Sequence, residues 1–369
     1  LFKAQSQWQC SLSGKALKRQ KTNSEEDNQT RQKARMKTYK AALIAMGVTF
    51  MAALGSAKAQ VYKAEEPLAH TYSIVARDPA TGEMAVGVQS HWFSVGTAVP
   101  WVEAGVGVVA TQSFANKSFG LRGLALLKEG KSPEEALAIL LADDEAREVR
   151  QVSILDAQGR VATHTGKQCI RYAGHITGKN NSVQANMMLT DKVWPAMAKA
   201  FERSEGQPLA ERVLLAMQAA EREGGDIRGR QSAALVVVKG KKNDQPWDDK
   251  TIDLRVDDHE QPLEELERLL KVYRAYEHMN AGDLAIEKGQ MQKAMEEYGK
   301  AEDMFPNNLE MKYWHAIGLA NSGQVEEAAK LLREVYKKDD NWRELTSRLP
   351  EVGLLTVSKQ NMEKLMRIK

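Results

Sequence analysis

The chain holds two cysteines in 369 residues, Cys10 and Cys169. That scarcity excludes a fold stapled by disulfides. Long apolar runs are missing too: none reaches the roughly 20 residues that cross a bilayer as a helix. The longest, Ala41 to Leu54, follows Lys37 and Lys40 and precedes Ala57, Lys58 and Ala59, small residues where a signal peptidase reads. The pattern predicts a signal peptide from Met36 to Ala59, cleavage before Gln60, and a periplasmic or secreted protein with no stable membrane insertion. Leu1 to Arg35 is polar, basic and without an initiator methionine. It is expected to be a disordered extension outside the fold, with residues 60–70 a short linker or propeptide. Only Cys169 would then remain, and no intramolecular disulfide is expected.

A strong excess of one charge is also lacking. The whole chain carries +3, but from Gln60 onward 41 basic residues face 46 acidic ones, a net of −5. The basic surplus belongs to the leader, so no nucleic-acid partner is predicted. A phosphate loop, a GxSxG elbow and a dinucleotide fingerprint are absent from the sequence, which argues against ATPase, serine esterase and dehydrogenase chemistry. His164, Cys169, His175, Asp258 and His259 lack the tight spacing of a zinc motif. Neither metal nor cofactor is expected.

What is present is an alternation of sheet-like and helical blocks. Thr71 to Arg77 and Glu83 to Ser90 read as a hairpin turning at Asp78–Gly82, where proline presets φ and glycine permits a positive one. Val102 to Gln112 reads as a third strand. Ser118–Glu129 and Pro133–Leu141 follow as a helix pair. Gln151–Leu155, Arg160–Thr165 and Ser182–Leu189 return to strand, Asp191–Ser204 and Pro208–Glu223 form a second helix pair, and Ser232–Val238 and Thr251–Val256 close the order. Paired helices between groups of strands disfavour a doubly wound parallel sheet and suit stacked sheets under helical layers.

Beyond Pro262 the sequence turns helical, and a repeat emerges. Ala285 and Leu319, Gly289 and Gly323, Ala294 and Ala328, Tyr298 and Leu332, and Ala301 and Val335 are each 34 residues apart. That is the period of tetratricopeptide helix pairs. A sandwich over 71–260, tetratricopeptide-like repeats over 261–345 and a helical tail over 346–369 are therefore expected.

Seven segments carry a resemblance: the Thr71 hairpin, Ser94 to Trp101, Ala110 to Asn116, Gly120 to Leu127, His164 to Gly166, Gly229 to Ser232, and Asp253 to His259. Together they resemble DUF1028, a family assigned to the amino-terminal nucleophile hydrolases, over roughly Thr71 to Leu270. The resemblance implies an α+β fold, a four-layer αββα sandwich. It also implies a catalytic threonine at Thr71, since simple members start Met-Thr-Phe-Ser and expose that residue by losing methionine. Here signal cleavage alone leaves Gln60 to His70 in front, so the chemistry requires a further cut at His70–Thr71.

An amino-terminal threonine passes its hydroxyl proton to its own α-amine, and a threonine inside a chain cannot. Thr71 is either that nucleophile or an ordinary strand residue. Ser73 shares its face, two residues on, and suits a supporting hydrogen bond. Asn116 and Asn186 are candidate oxyanion donors, and Gln112 is either a polar group of the site or structural. Arg228, Arg230, Gln231 and Ser232 either hold a substrate carboxylate, which guanidinium grips in bidentate fashion, or satisfy a strand end. His164 and Thr165 line a pocket or support a turn. Ser90 and His91 do not make a nucleophile–base pair, because adjacent strand side chains point to opposite faces. The leading expectation is an amidohydrolase for a small amide or peptide-like substrate, with the repeats docking a protein or peptide. The alternative is a non-catalytic periplasmic scaffold that uses the repeats alone; self-association is left open.

Overall fold

The computed structural model describes residues 68–368. The expected extension, signal peptide and most of the linker lie outside the described residues. The described residues fall in one compact unit, in which eleven strands and ten α-helices are described.

The strands build two antiparallel sheets. In the larger, β2 (Thr71–Arg77) and β3 (Met84–Ser90) form the central hairpin; β10 (Ser232–Val238) and β11 (Lys250–Val256) extend it on one side, β9 (Asn181–Ala185) and β8 (Gly174–Gly178) on the other. The smaller sheet runs β1 (Leu68–Ala69), β5 (Gly107–Phe114), β6 (Arg150–Asp156), β7 (Val161–Thr165), with β4 (Pro100–Glu103) beside β5. The hairpin turn is locked by Asp78, whose Oδ1 accepts from the Ala80 and Thr81 amides at 2.7 and 3.1 Å. An Asx contact of this kind competes locally with continued strand and so fixes the register beyond it.

Three apolar layers hold the sandwich together. Val75, Val86, Val88, Val108, Leu155 and Ala234 fill the space between the sheets. Phe119, Leu124 and Leu140 of helices α1 (Ser118–Lys128) and α2 (Pro133–Ala142) cover the outer face of the smaller sheet. Helices α3 (Val193–Arg203) and α4 (Leu209–Arg222) cover the larger one through Met197, Phe201, Val213 and Met217. Helix α2 begins with a complete capping box between Ser132 and Glu135, which satisfies two amide donors that a helix start otherwise leaves orphaned.

Helix α5 (Pro262–Glu287) serves two cores. Its Leu263, Leu266 and Leu270 enter the sandwich cluster, while Ala275, Met279 and Ala285 enter a helical one. Arg274 grips both carboxylate oxygens of Glu211 on α4 at 2.8 and 2.9 Å. The helices continue as α6 (Met291–Met304), α7 (Leu309–Asn321), α8 (Val325–Lys338), α9 (Asn341–Arg348) and α10 (Lys359–Met366). Helices α6 and α8 have equal length and start 34 residues apart. Gly289 and Gly323 turn into them with φ of 66° and 86°, a region where a Cβ is costly. Ala294 and Ala328 are fully buried at matching positions.

Three strand expectations change. The run read as one strand over Val102 to Gln112 divides into β4 and β5 around Gly105, whose φ is 70°; a valine-rich sequence concealed the turn. The strand read over Ser182 to Leu189 ends at Ala185, and Met187 adopts φ 60°. Its partner β8 went unread because it is a half-exposed edge strand without apolar alternation.

Candidate functional site

Alternation along β2 turns Thr71, Ser73 and Val75 into the space between the sheets, and the register places Ser90 of β3 opposite Thr71 and Ser232 of β10 opposite Ser90. Toward Val75 this layer is apolar; toward Thr71 it becomes polar. Thr71, Ser73, Gln112, Gln151, Gln184 and Asn186 are all fully buried there. Burial of that many polar groups costs unless they bond to one another.

They do so in a chain of amides and hydroxyls. Ser73 Oγ donates to Gln112 Oε1 at 2.6 Å and accepts from Gln184 Nε2 at 2.6 Å. Gln151 Oε1 accepts from Gln112 Nε2 at 2.7 Å and from Asn186 Nδ2 at 2.9 Å. Its Nε2 donates to Thr165 Oγ1 at 2.8 Å, which also bonds His175 Nδ1 at 2.9 Å. The Thr71 carbonyl accepts from the Asn186 amide at 3.0 Å and from Gln112 Nε2 at 3.2 Å. Gln184 Oε1 alone among these amide oxygens is buried without a partner.

The peptide preceding Thr71 has a separate set of partners. Strand β1 pairs with β5 in the smaller sheet, Leu68 opposite Phe114 and Ala69 opposite Ser113, whereas Thr71 opens β2 in the larger sheet. The His70–Thr71 bond therefore carries the chain from one sheet to the other. The His70 carbonyl oxygen accepts from Ser90 Oγ at 2.7 Å and from Arg228 Nη2 at 2.8 Å. Arg228 is held in place by Asp226, through Nε at 3.0 Å and Nη2 at 2.7 Å. Asp226 is itself buried and accepts from the His91 amide at 3.2 Å.

The His70 ring is 3% exposed, meets Phe114 edge-on at 5.5 Å, and places Nδ1 2.9 Å from Asn186 Oδ1. Because that oxygen only accepts, Nδ1 carries a proton and the neutral ring is satisfied. Burial holds the His70 pKa below the ordinary imidazole value, and the Arg228 charge acts in the same direction against the raising effects of Asn186 and Asp226. His175 is lowered as well, by burial and then by His164. Ser113, opposite Ala69, has φ 73°, a conformation that costs a non-glycine residue on the order of 1–3 kcal/mol.

Of the residues singled out from sequence, Thr71, Ser73, Gln112, Asn186, Thr165 and Arg228 come together. The others do not join this network. Asn116 Oδ1 accepts from the Ser118 amide and hydroxyl at 3.1 and 2.7 Å and so serves the start of α1. His164 Nε2 bonds the Arg147 carbonyl at 2.9 Å. Arg230 pairs with Glu221 on the α4 side, where Tyr72 Oη also donates to that carboxylate. Gln231 reaches Asp258 at 3.2 Å, and Ser232 Oγ accepts from the Val95 amide at 3.0 Å. The sequence does not single out Gln151, Gln184 or Asp226, names His70 only as the residue before the cut, and weighs Ser90 only as a partner for His91. The turn read over Asp78–Gly82 sets Gln89 opposite Thr71; the observed pairing of Arg77 with Met84 is one residue longer and brings Ser90 there instead.

Among the described residues, no group of three or more His, Cys, Asp or Glu is arranged to hold a metal, and no helix is long and apolar enough to cross a membrane.

Two antiparallel sheets with a buried polar slot between them and helices on both outer faces define the class. Residues 71–266 match the family model DUF1028, a family of unknown function, and the chain belongs to that family. A crystal structure of a DUF1028 protein from Silicibacter pomeroyi is similar at 28% identity, covering 55% of this chain and 88% of that one, with a TM-score of 0.49. Anbu, the ancestral beta-subunit from Yersinia bercovieri, is similar at 13% identity, covering 55% and 97%, with a TM-score of 0.28. No curated protein matches the chain.

Proposed function

We propose that this protein is an exported amidohydrolase of the amino-terminal nucleophile type, which cuts itself at His70–Thr71 and then uses Thr71 on an amide or peptide-like substrate. The observation that carries this reading is the pair of donors on the His70 carbonyl oxygen, Ser90 Oγ at 2.7 Å and Arg228 Nη2 at 2.8 Å. His70 lies between β1 and β2, and its carbonyl oxygen meets a hydroxyl and a clamped cation. Such donors stabilise the oxyanion of an attacked carbonyl, each typically by about 2.7–4 kcal/mol.

In the first reaction Thr71 Oγ1 adds to the His70 carbonyl carbon, the C–N bond breaks, and the hydroxyl proton ends on the Thr71 nitrogen. Water then hydrolyses the ester, leaving a carboxylate on His70 and a free amino terminus on Thr71. That amine, with a reference pKa of about 7.7–8.0, is partly neutral near pH 7 and able to take the hydroxyl proton in later turnovers. Gln112 and Asn186, bonded to the Thr71 carbonyl, would keep nucleophile and amine oriented, and Ser90 and Arg228 would polarise the substrate carbonyl.

The layered sheets support an αββα reading, and the matched helices α5 to α8 support a tetratricopeptide-like surface for a protein or peptide. The leader Met36 to Ala59 supports periplasmic or secreted localisation. Intact-mass analysis of protein recovered from an exporting host tests the proposal. A product beginning at Thr71 is expected. A uniform, folded and active product beginning at Gln60 would overturn it.

The matched helix pairs also favour a second reading, a non-catalytic periplasmic scaffold. It prevails if Thr71→Ala keeps biological activity while loss of residues 281–341 abolishes it.

A further inference from the structure

Strand β5 has one edge shared by two partners. Strand β6 lies along its other side as far as Ser113, while β4 covers Gly107 to Ala110 on the shared edge and β1 covers Ser113 and Phe114. Removing β1 would leave a gap two residues long, directly beside the Thr71 slot. The gap is braced from behind: the Phe114 carbonyl accepts from Arg150 Nη1 at 2.6 Å, and Arg150, 2% exposed, is ion-paired to Asp144 at 2.7 Å. At the slot end, the Phe114 ring and Asn186 Oδ1 clasp the His70 imidazole.

We propose that this edge of β5 is the acyl-side groove of the protein, and that it takes an extended peptide carrying histidine at the residue whose carbonyl is attacked. The inference rests on the enzyme reading above for its catalytic meaning, because self-cleavage and turnover share one nucleophile and one pair of oxyanion donors. An acyl group attacked at the same place must leave toward the same side. The segment Leu68–His70 is then a resident copy of the substrate's acyl half. Strand addition supplies affinity through main-chain bonds, and the ring clasp supplies selectivity.

The test uses the full chain with Thr71→Ala, which has no nucleophile, and the same chain with Ala69→Pro and His70→Gly added to unseat β1. The probe is acetyl-Glu-Pro-Leu-Ala-His amide, followed by calorimetry. Binding to the unseated chain is expected, at least tenfold tighter than to the Thr71→Ala chain, where β1 fills the groove. A probe ending in alanine is expected to bind the unseated chain at least tenfold more weakly. Equal binding to both chains, no binding to an unseated chain that keeps a cooperative thermal transition, or indifference to the terminal histidine overturns the proposal. If the unseated chain does not fold, Thr71→Ala with His70→Gly alone carries the same comparison. Capture of the probe together with an uncut native chain sinks the enzyme reading and leaves the groove. Self-cleavage without capture does the reverse.

Discussion

The layer between the two sheets has two ends made from the same strands by opposite means. At the hairpin-turn end of β2 and β3, Val75, Met84 and Val86 meet Val108, Leu155 and Val238, all nearly or fully excluded from water. At the other, Thr71, Ser73, Gln112, Gln151, Gln184 and Asn186 are equally buried but joined only by hydrogen bonds. The apolar end stabilises at roughly 25 cal/mol per Å² of surface removed from water. The polar end gains far less, since a typical internal hydrogen bond nets about 0.5–1.5 kcal/mol after its groups leave water. A sequence able to place valine on these strands at one end places amides at the other, where they bond the Thr71 carbonyl, one residue past the peptide that links the sheets. On the proposed reading, the difference separates what folds the sandwich from what would carry its chemistry.

Substitutions at the two ends break or sharpen that contrast. Thr71→Ala should abolish the His70–Thr71 cut altogether, read as an uncut chain by intact mass. Ser90→Ala removes one donor from the His70 carbonyl and should slow the cut by about 10²–10³, followed as a time course after refolding. Leu155→Ala at the apolar end should cost about 2–5 kcal/mol in urea unfolding, from lost transfer energy and the cavity left behind, with the cutting rate unchanged. Gln151→Ala should cost less, about 1–3 kcal/mol, because it takes away one buried acceptor shared by Gln112 Nε2 and Asn186 Nδ2. A cutting rate that falls with Leu155→Ala, or ignores Ser90→Ala, would erase the functional distinction between the ends.

The sheets were legible wherever burial wrote itself into composition. Ala233 to Val238 reads as a strand because both its faces are covered, and the 34-residue offset anticipated α6 and α8. Strand β8 was not legible, because an edge strand with polar faces has no period to detect. The slot was half legible. Ser73 follows from alternation with Thr71, which the family resemblance supplies, and Gln112 from its place toward a strand end; Asn186 stands out by residue type alone, since the strand read through Leu189 ends at Ala185. Arg228 came from residue type rather than geometry, since only folding brings Asp226 and Arg228 to the His70 carbonyl, 158 residues away. Strand β1 is two residues long and owes its place to the partner edge; nothing local in Leu68 and Ala69 encodes it.

The smallest expected effect concerns pH and marks the border between the two ends. His70 is buried against Phe114, faces Asn186 Oδ1, and has Arg228 and Asp226 as its nearest charges. Its folded pKa lies below the ordinary imidazole value near 6.5, so between the two values the unfolded chain binds more protons than the folded one. Stability then rises with pH across that window and falls as pH drops below about 6.5, with a slope of at most about 1.4 kcal/mol per pH unit for one group. His175 is lowered by burial too and adds in the same sense. Urea midpoints of the uncut Thr71→Ala chain between about pH 5 and 8 should therefore decline on the acid side. Adding His70→Gln should flatten part of that decline, and His175→Gln the rest. An acid decline untouched by His70→Gln would mean that the ring is not held neutral in the slot.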